Sequence, residues 1–256
     1  MNNIQNLSVL KSYLLLPILF LASITSSFSQ SLIAGIPSAD VAPEKKFMFT
    51  HESQLNTWSY DKVKWNSFNF LCYGAAKNLE VTVSFSNLSN SPVAHESIGT
   101  GFKKIFDLEF IPLPEAKFAI GQNVLYSVDR MSVGGWSYAM LSNRIPVLET
   151  RLTYGVSYGS AELFGYDTLT TNRNGFKERI VKERNPLSAM IGLEQPIIKD
   201  KFGIIADWFS GQHDLAALIT GFQFSFDKLV LITAYKFPNL EPAKKGSVIF
   251  EAMYEF

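Results

Sequence analysis

A His-Glu-Ser triplet occurs twice in this sequence, and both copies carry residue types that take part in nucleophilic catalysis. The first spans 51–53 in FMFTHESQLN, and the second spans 95–97 in SPVAHESIG. Residues i and i+2 of a β-strand point to the same face. A strand would therefore place a histidine beside a serine, where the imidazole could take the hydroxyl proton. The triplets raise the hypothesis of a hydrolase, which depends on the elements that carry them.

Three other short motifs indicate no chemistry. Residues 155–159 satisfy the pattern G-x-S-x-G, but a nucleophile elbow needs a sharp strand-to-helix turn and this segment continues a strand. Residues 99–101 lack the third glycine of a dinucleotide-binding loop. His213 and Asp214 fall in a tight turn, which we expect them to cap.

The composition excludes several classes of function. Lys plus Arg and Asp plus Glu both number 23, so the charge balance gives no electrostatic reason to expect nucleic acid. The single Cys72 excludes an intramolecular disulfide and a cysteine-based zinc site. We expect no cofactor and no metal. The 256 residues fit one domain, although 47% hydrophobic and 14% aromatic residues are a rich content for an exported protein.

The N-terminus has the three-part pattern of a secretory signal. Lys11 precedes the apolar stretch YLLLPILFLA, which is too short to span a bilayer, and small polar residues follow. Small residues at Ser27 and Ser29 predict cleavage after Ser29, so residues 1–29 are interpreted as a removed signal peptide. The alternative is a retained membrane anchor. No later segment offers the roughly eighteen uninterrupted apolar residues of a transmembrane helix.

A period of two runs through the rest of the chain. In VLETRLTYGVSYG, for example, an apolar face alternates with a polar or small one, which predicts a strand. Counting such runs predicts about twelve strands. They lie near residues 45–53, 66–74, 79–86, 99–110, 116–127, 133–143, 147–159, 187–195, 201–210, 215–226, 229–237 and 246–256.

The joins between these runs alternate in length. GAAKN, IPLPE, NRIP, QPIIKDK and FDK are short and rich in turn residues, whereas the longer joins include 54–65, 87–98, 160–186 and 238–245. A soluble β-sandwich would also show period two. Short joins on one side, long joins on the other and strands of about nine to eleven residues favour an up-and-down antiparallel transmembrane β-barrel. We therefore predict a lead over residues 30–44, placed in the periplasm, and one barrel domain over 45–256.

The last strand gives the sharpest signal. In GSVIFEAMYEF, Phe250, Tyr254 and Phe256 share one face, and the chain ends on that phenylalanine. This strand resembles the assembly signal of outer-membrane β-barrel proteins of Gram-negative bacteria. The resemblance implies location in the outer membrane after export through a cleaved signal peptide. It also implies contact with outer-membrane lipid and recognition of the last strand by the barrel-assembly machinery.

If the apolar face meets lipid, the polar face lines the lumen. A barrel of about eight strands is filled by its side chains, and one of about sixteen leaves an aqueous channel. We therefore predict a narrow passive channel for small hydrophilic solutes or ions, with an acidic lining that favours cations. The alternative is that the charges pair and close the lumen. The predicted lining residues are Glu80, Asp107, Glu109, Glu149, Arg151, Glu194, Asp207, Lys236 and Glu251.

Two alternatives place the function outside the lumen. His51 and Ser53 follow apolar residues on the lipid-facing side, and outer-membrane phospholipases and lipid deacylases carry such a His-x-Ser pair on an outer barrel face. Asn66 on the next strand is the predicted third residue of this lipid acyl hydrolase. Those enzymes follow the serine with Asn where Gln54 stands here, and no calcium ligands are apparent.

The second alternative is a closed structural or adhesion barrel. Its motivation is the long loop 160–186, which is rich in basic residues and is predicted to lie on the extracellular side. The second His-Glu-Ser triplet, with His95 and Ser97, falls in a different predicted loop, which makes it a weaker candidate for catalysis than the first.

Overall fold

The computed structural model describes residues 32–56, 64–86, 96–128, 131–161, 166–171, 177–182, 185–213, 215–239 and 246–256. The predicted signal peptide, His95 and Asp214 lie outside these residues. The loop 160–186 lies within the described residues only in part.

Within the described residues, strands make up almost the whole fold. They are β1 (Phe47–Asn56), β2 (Lys64–Ala76), β3 (Leu79–Ser86), β4 (Ser97–Asp107), β5 (Lys117–Ser127), β6 (Ser132–Ile145), β7 (Thr150–Gly159), β8 (Tyr166–Thr171), β9 (Lys177–Lys182), β10 (Leu187–Ile198), β11 (Phe202–Phe209), β12 (Ala217–Phe226), β13 (Leu229–Pro238) and β14 (Ser247–Glu255). Within these residues, no helix is long and apolar enough to span a membrane.

All strands except β8 and β9 form one closed antiparallel barrel. Each strand pairs with its neighbour in the chain, β7 pairs with β10, and the ring closes where β1 pairs with β14. The predicted up-and-down barrel of about twelve strands is therefore confirmed. β8 and β9 form a separate two-stranded hairpin inside the segment predicted as a plain loop. The period-two signal is weak there because both strands are short.

The outer face of the barrel is apolar on every side. In β7, Tyr154, Val156 and Tyr158 are exposed while Thr153 and Ser157 are buried, and the other barrel strands alternate in the same way. A soluble monomer seldom exposes an apolar patch larger than a few hundred Å². An apolar belt that encircles the whole barrel is typical of a sheet whose outer face meets lipid.

The inner face is less polar than the sequence analysis predicts. Several strands direct apolar side chains inward, where they are almost completely buried. Met48, Met140, Met190, Ile205 and Met253 belong to this cluster. A barrel of this size would leave space between its walls, and another part of the chain fills it.

That part is a stretch of the N-terminal lead, residues 32–43, which we call the plug segment. Ile33 and Ile36 are both completely buried in the cluster of inward-facing wall residues. The chain reverses between them, because the Ile33 amide donates to the Ile36 carbonyl at 3.0 Å and Leu32 forms a bridge with Pro37. The prediction of a periplasmic lead over 30–44 is therefore corrected for the plug segment, which lies inside the barrel.

Gly74 joins the plug segment to the wall where the chain turns into β1. The Lys45 amide donates to the Gly74 carbonyl at 2.7 Å, and the Gly74 amide donates to the Lys46 carbonyl at 3.0 Å. A Cβ atom at this position would stand 2.0 Å from the Pro43 carbonyl oxygen. Only glycine allows the two backbones to approach so closely.

We predict that Gly74→Val destabilises the folded barrel by about 1–3 kcal/mol, since the new side chain meets backbone that cannot move aside cheaply. Urea unfolding in lipid vesicles, followed by heat-modifiable gel mobility, measures the change. Ala75→Val is the matched control, because Ala75 is the next residue and is exposed. Equal midpoints for the two variants would contradict the proposed role of this contact.

Candidate functional site

The plug segment is held by polar groups of the barrel wall. Asp207 Oδ2 accepts a hydrogen bond from the Gly35 amide at 2.9 Å. Glu80 Oε2 accepts one from the Ala42 amide at 2.7 Å. Lys103 Nζ donates to the Ser38 carbonyl at 3.4 Å. These three wall side chains are almost completely buried, and Glu80 lies directly opposite Lys103 in the β3–β4 register. Each of the three therefore directs one polar group to the backbone of the plug segment.

Asp40 links the plug segment to the wall through ion pairs. Its carboxylate accepts from Lys117 Nζ at 2.8 Å and also forms an ion pair with Arg151. Arg151 in turn binds Glu194 through two hydrogen bonds of 2.6 and 2.7 Å. Burial alone would raise the pKa of Asp40, but Arg151 and Lys117 outweigh it and hold the pKa far below its usual range. Asp40 is therefore ionised while the plug is in place.

Three acidic side chains form a cluster deeper in the lumen. Glu52 lies directly opposite Glu251 in the β1–β14 register, and Asp207 lies close enough to interact with both. Neither oxygen of Glu251 has a hydrogen-bond partner among the described residues, and the same holds for Asp207 Oδ1. Lys236 reaches the edge of the cluster through Gln54. The cluster therefore brings three carboxyl groups together in the middle of the lumen.

A cavity of about 270 Å³ opens at the short-turn end of the barrel, next to the plug segment. Asp40, Lys117, Arg144, Arg151 and Glu194 are among the residues that line it. The ion pairs that hold the plug therefore border this cavity. A substitution that changes a charge at this cavity can therefore act directly on the ion pairs of the plug segment.

The predicted lining residues divide into two groups. The first group points into the lumen and consists of Glu80, Arg151, Glu194, Asp207, Lys236 and Glu251. Asp107, Glu109 and Glu149 do not point into it. Asp107 is exposed and accepts from Asn78 at the end of β4, Glu109 is exposed in the following turn, and Glu149 pairs with Lys199 between two turns. Asp107 ends β4, and Glu109 and Glu149 lie in turns, where the period of two no longer sets the direction of a side chain.

A second polar site lies on the outer face, where the chain places His51 among apolar side chains. His51 Nε2 is 3.0 Å from Ser53 Oγ, and His51 Nδ1 is 2.8 Å from Asn69 Oδ1. Phe47 and Phe49 are exposed on the same face of β1. The three polar side chains thus form one hydrogen-bonded row on the surface that meets lipid.

Asn69 takes the place predicted for Asn66. The β1–β2 register sets His51 opposite Asn69, whereas Asn66 lies opposite Gln54 on the inner face. The prediction of Asn66 as the third residue is corrected for this reason. Counting alternate residues back from exposed Leu71 would have found Asn69, because both lie on the outer face of β2.

The last strand closes the ring as its sequence suggests. Phe250 and Tyr254 are exposed on the outer face of β14, and the Phe256 amide donates to the Phe47 carbonyl at 2.9 Å. The terminal residue is thus bonded to the first residue of β1. The molecule is a closed, up-and-down antiparallel β-barrel of twelve strands.

No family model matches the chain, and no curated protein matches it. Solved structures similar to it include the NanC porin, with a TM-score of 0.48 and 11% identity over 82% of this chain and 98% of that one. The translocator domain of autotransporter NalP from Neisseria meningitidis gives 0.46 and 12% over 82% and 87%. The β-domain of the Bordetella autotransporter Brka gives 0.34 and 11% over 83% and 98%.

We predict that Asp40→Asn loosens the plug segment by on the order of 3 kcal/mol, because it removes the buried carboxylate that pairs with Lys117 and Arg151. A cysteine at buried Ser38 reports plug opening through its rate of maleimide labelling. The labelling rate at neutral pH should rise about 100-fold. Asp200→Asn, an exposed aspartate that borders the same cavity, is the matched control and should change nothing.

The same labelling experiment should depend on pH. The pKa of Asp40 is lower in the folded barrel than in the free chain, so its stabilisation is complete above the ordinary aspartate range near about 4 and declines as the pH falls below it. The difference between the parent and Asp40→Asn should therefore shrink in acid. A constant difference down to the lowest tolerated pH would contradict the assignment.

Proposed function

We propose that this protein is an outer-membrane barrel whose lumen conducts small hydrophilic solutes or ions when the plug segment is displaced. The observation that carries this proposal is how the plug is bound. Residues 33–42 are held by side chains of the wall and by packing. A separable segment of this kind is typical of a gate.

Location in the outer membrane of a Gram-negative bacterium is supported by three features. The barrel has an apolar outer belt, and closed barrels are one of two backbone solutions that can span lipid. Most of the short turns lie at the end where the N-terminal segment enters, and most of the longer joins lie at the other end, where the β5–β6 join of residues 128–131 is a short exception. The sequence carries a predicted signal peptide and ends on an alternating strand with a terminal phenylalanine.

Displacement of the plug would expose a lining that suits cations. Glu52, Asp207 and Glu251 form the acidic cluster in the middle of the lumen, and wall hydroxyls such as Thr153 and Ser157 face the same interior. A ring of acidic side chains in a pore favours cations. The apolar inward-facing residues would keep the open path narrow.

A permanently closed barrel that acts through its surface is the second candidate. The tight packing of Ile33 and Ile36 against the wall favours it, and the β8–β9 hairpin gives its long-loop end an ordered surface. The two candidates differ in one measurable property, which is whether removal of the plug opens a path for water.

We predict that the purified barrel is silent in a planar bilayer, whereas deletion of residues 32–43 gives discrete, salt-dependent current steps. The steps should be cation-selective, and Glu251→Gln should weaken that selectivity. A synthetic peptide of residues 32–43 should close the deleted barrel again. Heat-modifiable gel mobility verifies that each protein is folded.

Two outcomes would contradict the gated channel. A folded deletion variant that stays silent would favour the permanently closed barrel. Equal conductance of the parent and the deletion variant would show that the plug segment does not control the path.

A further inference from the structure

We propose that His51, Ser53 and Asn69 form a site on the outer face of the barrel that hydrolyses fatty acyl esters of membrane lipids. This inference concerns the lipid-facing surface and is independent of the lumen and its plug. It starts from the row of hydrogen bonds that links the three side chains, Ser53 Oγ to His51 Nε2 at 3.0 Å and His51 Nδ1 to Asn69 Oδ1 at 2.8 Å.

The amide of Asn69 defines the direction of these hydrogen bonds. Its Nδ2 group donates to the Phe85 carbonyl at 3.5 Å, which turns Oδ1 toward the imidazole. An oxygen at that position accepts a proton, so His51 Nδ1 carries the hydrogen and Nε2 offers its lone pair to the Ser53 hydroxyl. This is the tautomer that a general base beside a serine nucleophile requires.

The position of the row argues against a purely structural role. Ionisable side chains on a surface that faces hydrocarbon are costly and usually mark a functional site, and His51 lies on this face of β1. Phe49 and Leu71 are exposed on the same face one step toward the short-turn end, and Phe250 lies opposite Ser53 in the β1–β14 register. These apolar neighbours can contact the acyl chain of a bound lipid.

The depth of His51, Ser53 and Asn69 in the membrane matches that of a lipid's ester linkages rather than that of its headgroup or of the ends of its acyl chains. Exposed Trp65 pairs with Leu55 near the long-loop end of β1, and exposed tryptophans of this kind lie at the membrane–water boundary. Ser53 is two residues further in, or about 7 Å along the strand. The ester linkages of membrane lipids lie just inside the boundary, within reach of this hydroxyl.

The chemistry needs no co-reactant other than water. Ser53 Oγ attacks the ester carbonyl carbon while its proton passes to His51 Nε2, and the bond to the alcohol oxygen breaks as that oxygen takes the proton back. Water, deprotonated by His51, then attacks the acyl-serine, and the fatty acid leaves with Ser53 restored. Asn69 is a positioning residue, since it orients the His51 ring and stabilises the imidazolium that forms once during acylation and once during hydrolysis of the acyl-serine.

Ser67 adds a second hydroxyl beside the nucleophile. It lies opposite Ser53 in the β1–β2 register on the same face and is buried. Side chains of directly opposed residues stand about 5 Å apart at Cβ. A hydroxyl at this distance is placed to donate to the oxygen on which charge develops during attack.

The test uses the full folded barrel in mixed micelles and vesicles. A fluorophosphonate probe should label the parent protein and inhibit its release of fatty acid, whereas Ser53→Ala and His51→Ala should lose both labelling and turnover by at least about 1,000-fold. Ser137→Ala is the matched control, because Ser137 is an exposed outward-facing serine on β6 and should change neither. Because inhibition of the parent requires no substitution, the test does not depend on the folding of a variant.

Two substitutions of Asn69 distinguish a positioning role from simple packing. Asn69→Leu should reduce turnover, and Asn69→Asp should restore most of it because a carboxylate also accepts from Nδ1. Phosphatidylethanolamine, phosphatidylglycerol and an acylated glucosamine lipid serve as substrates, so the pattern of release identifies the acyl ester that is cleaved. Absence of both labelling and fatty-acid release in the folded parent, or equal labelling of Ser53→Ala, would overturn the proposal.

Discussion

Backbone groups inside a hydrocarbon layer must find their hydrogen-bond partners within the protein, and in this molecule the pairing of β1 with β14 meets that condition. The pairs run from Met48 opposite Glu255 to Leu55 opposite Val248, so neither terminal strand keeps an open edge. Closure also separates an outer face from an inner one. The outer face can then be largely apolar, and whatever lies on the inner face must be packed or hydrated.

Part of the inner face is satisfied by the chain's own N-terminal segment. Asp207, Glu80 and Lys103 are buried charges that would be costly in a dry lumen without polar partners. The plug segment offers backbone amides to the two acids and a backbone carbonyl to the lysine. Its isoleucines meanwhile fill the apolar part of the interior. The wall and the plug are therefore complementary in charge as well as in shape.

Much of this architecture can be predicted from the sequence because it is local. Period two and turn residues mark the strands of the barrel, and an alternating strand with a terminal phenylalanine indicates closure. The plug segment has no such signal, since residues 32–43 have no period and are bound by groups that lie far away in the chain. Alternation stops indicating the direction of a side chain at the ends of strands, as the positions of Asp107, Glu109 and Glu149 show.

The outer-face row of polar side chains was only half predictable. Spacing within one strand put His51 beside Ser53, but the third residue depends on how two strands are aligned. Asn66 and Asn69 differ in parity, and a register shift of one residue exchanges the two faces. The pairing of β1 with β2 sets Asn69, and not Asn66, opposite His51.

The plug segment leads directly into the strand that seals the ring, and this has a consequence for biogenesis. Residues 45 and 46 connect the plug to β1, which pairs with both β2 and β14. The segment can therefore lie against the concave side of an unfinished sheet, and the last seam can form around it. No chain end has to be threaded through a completed pore. In this order of assembly, the plug segment already lies in the lumen when the pairing of β1 with β14 closes the barrel.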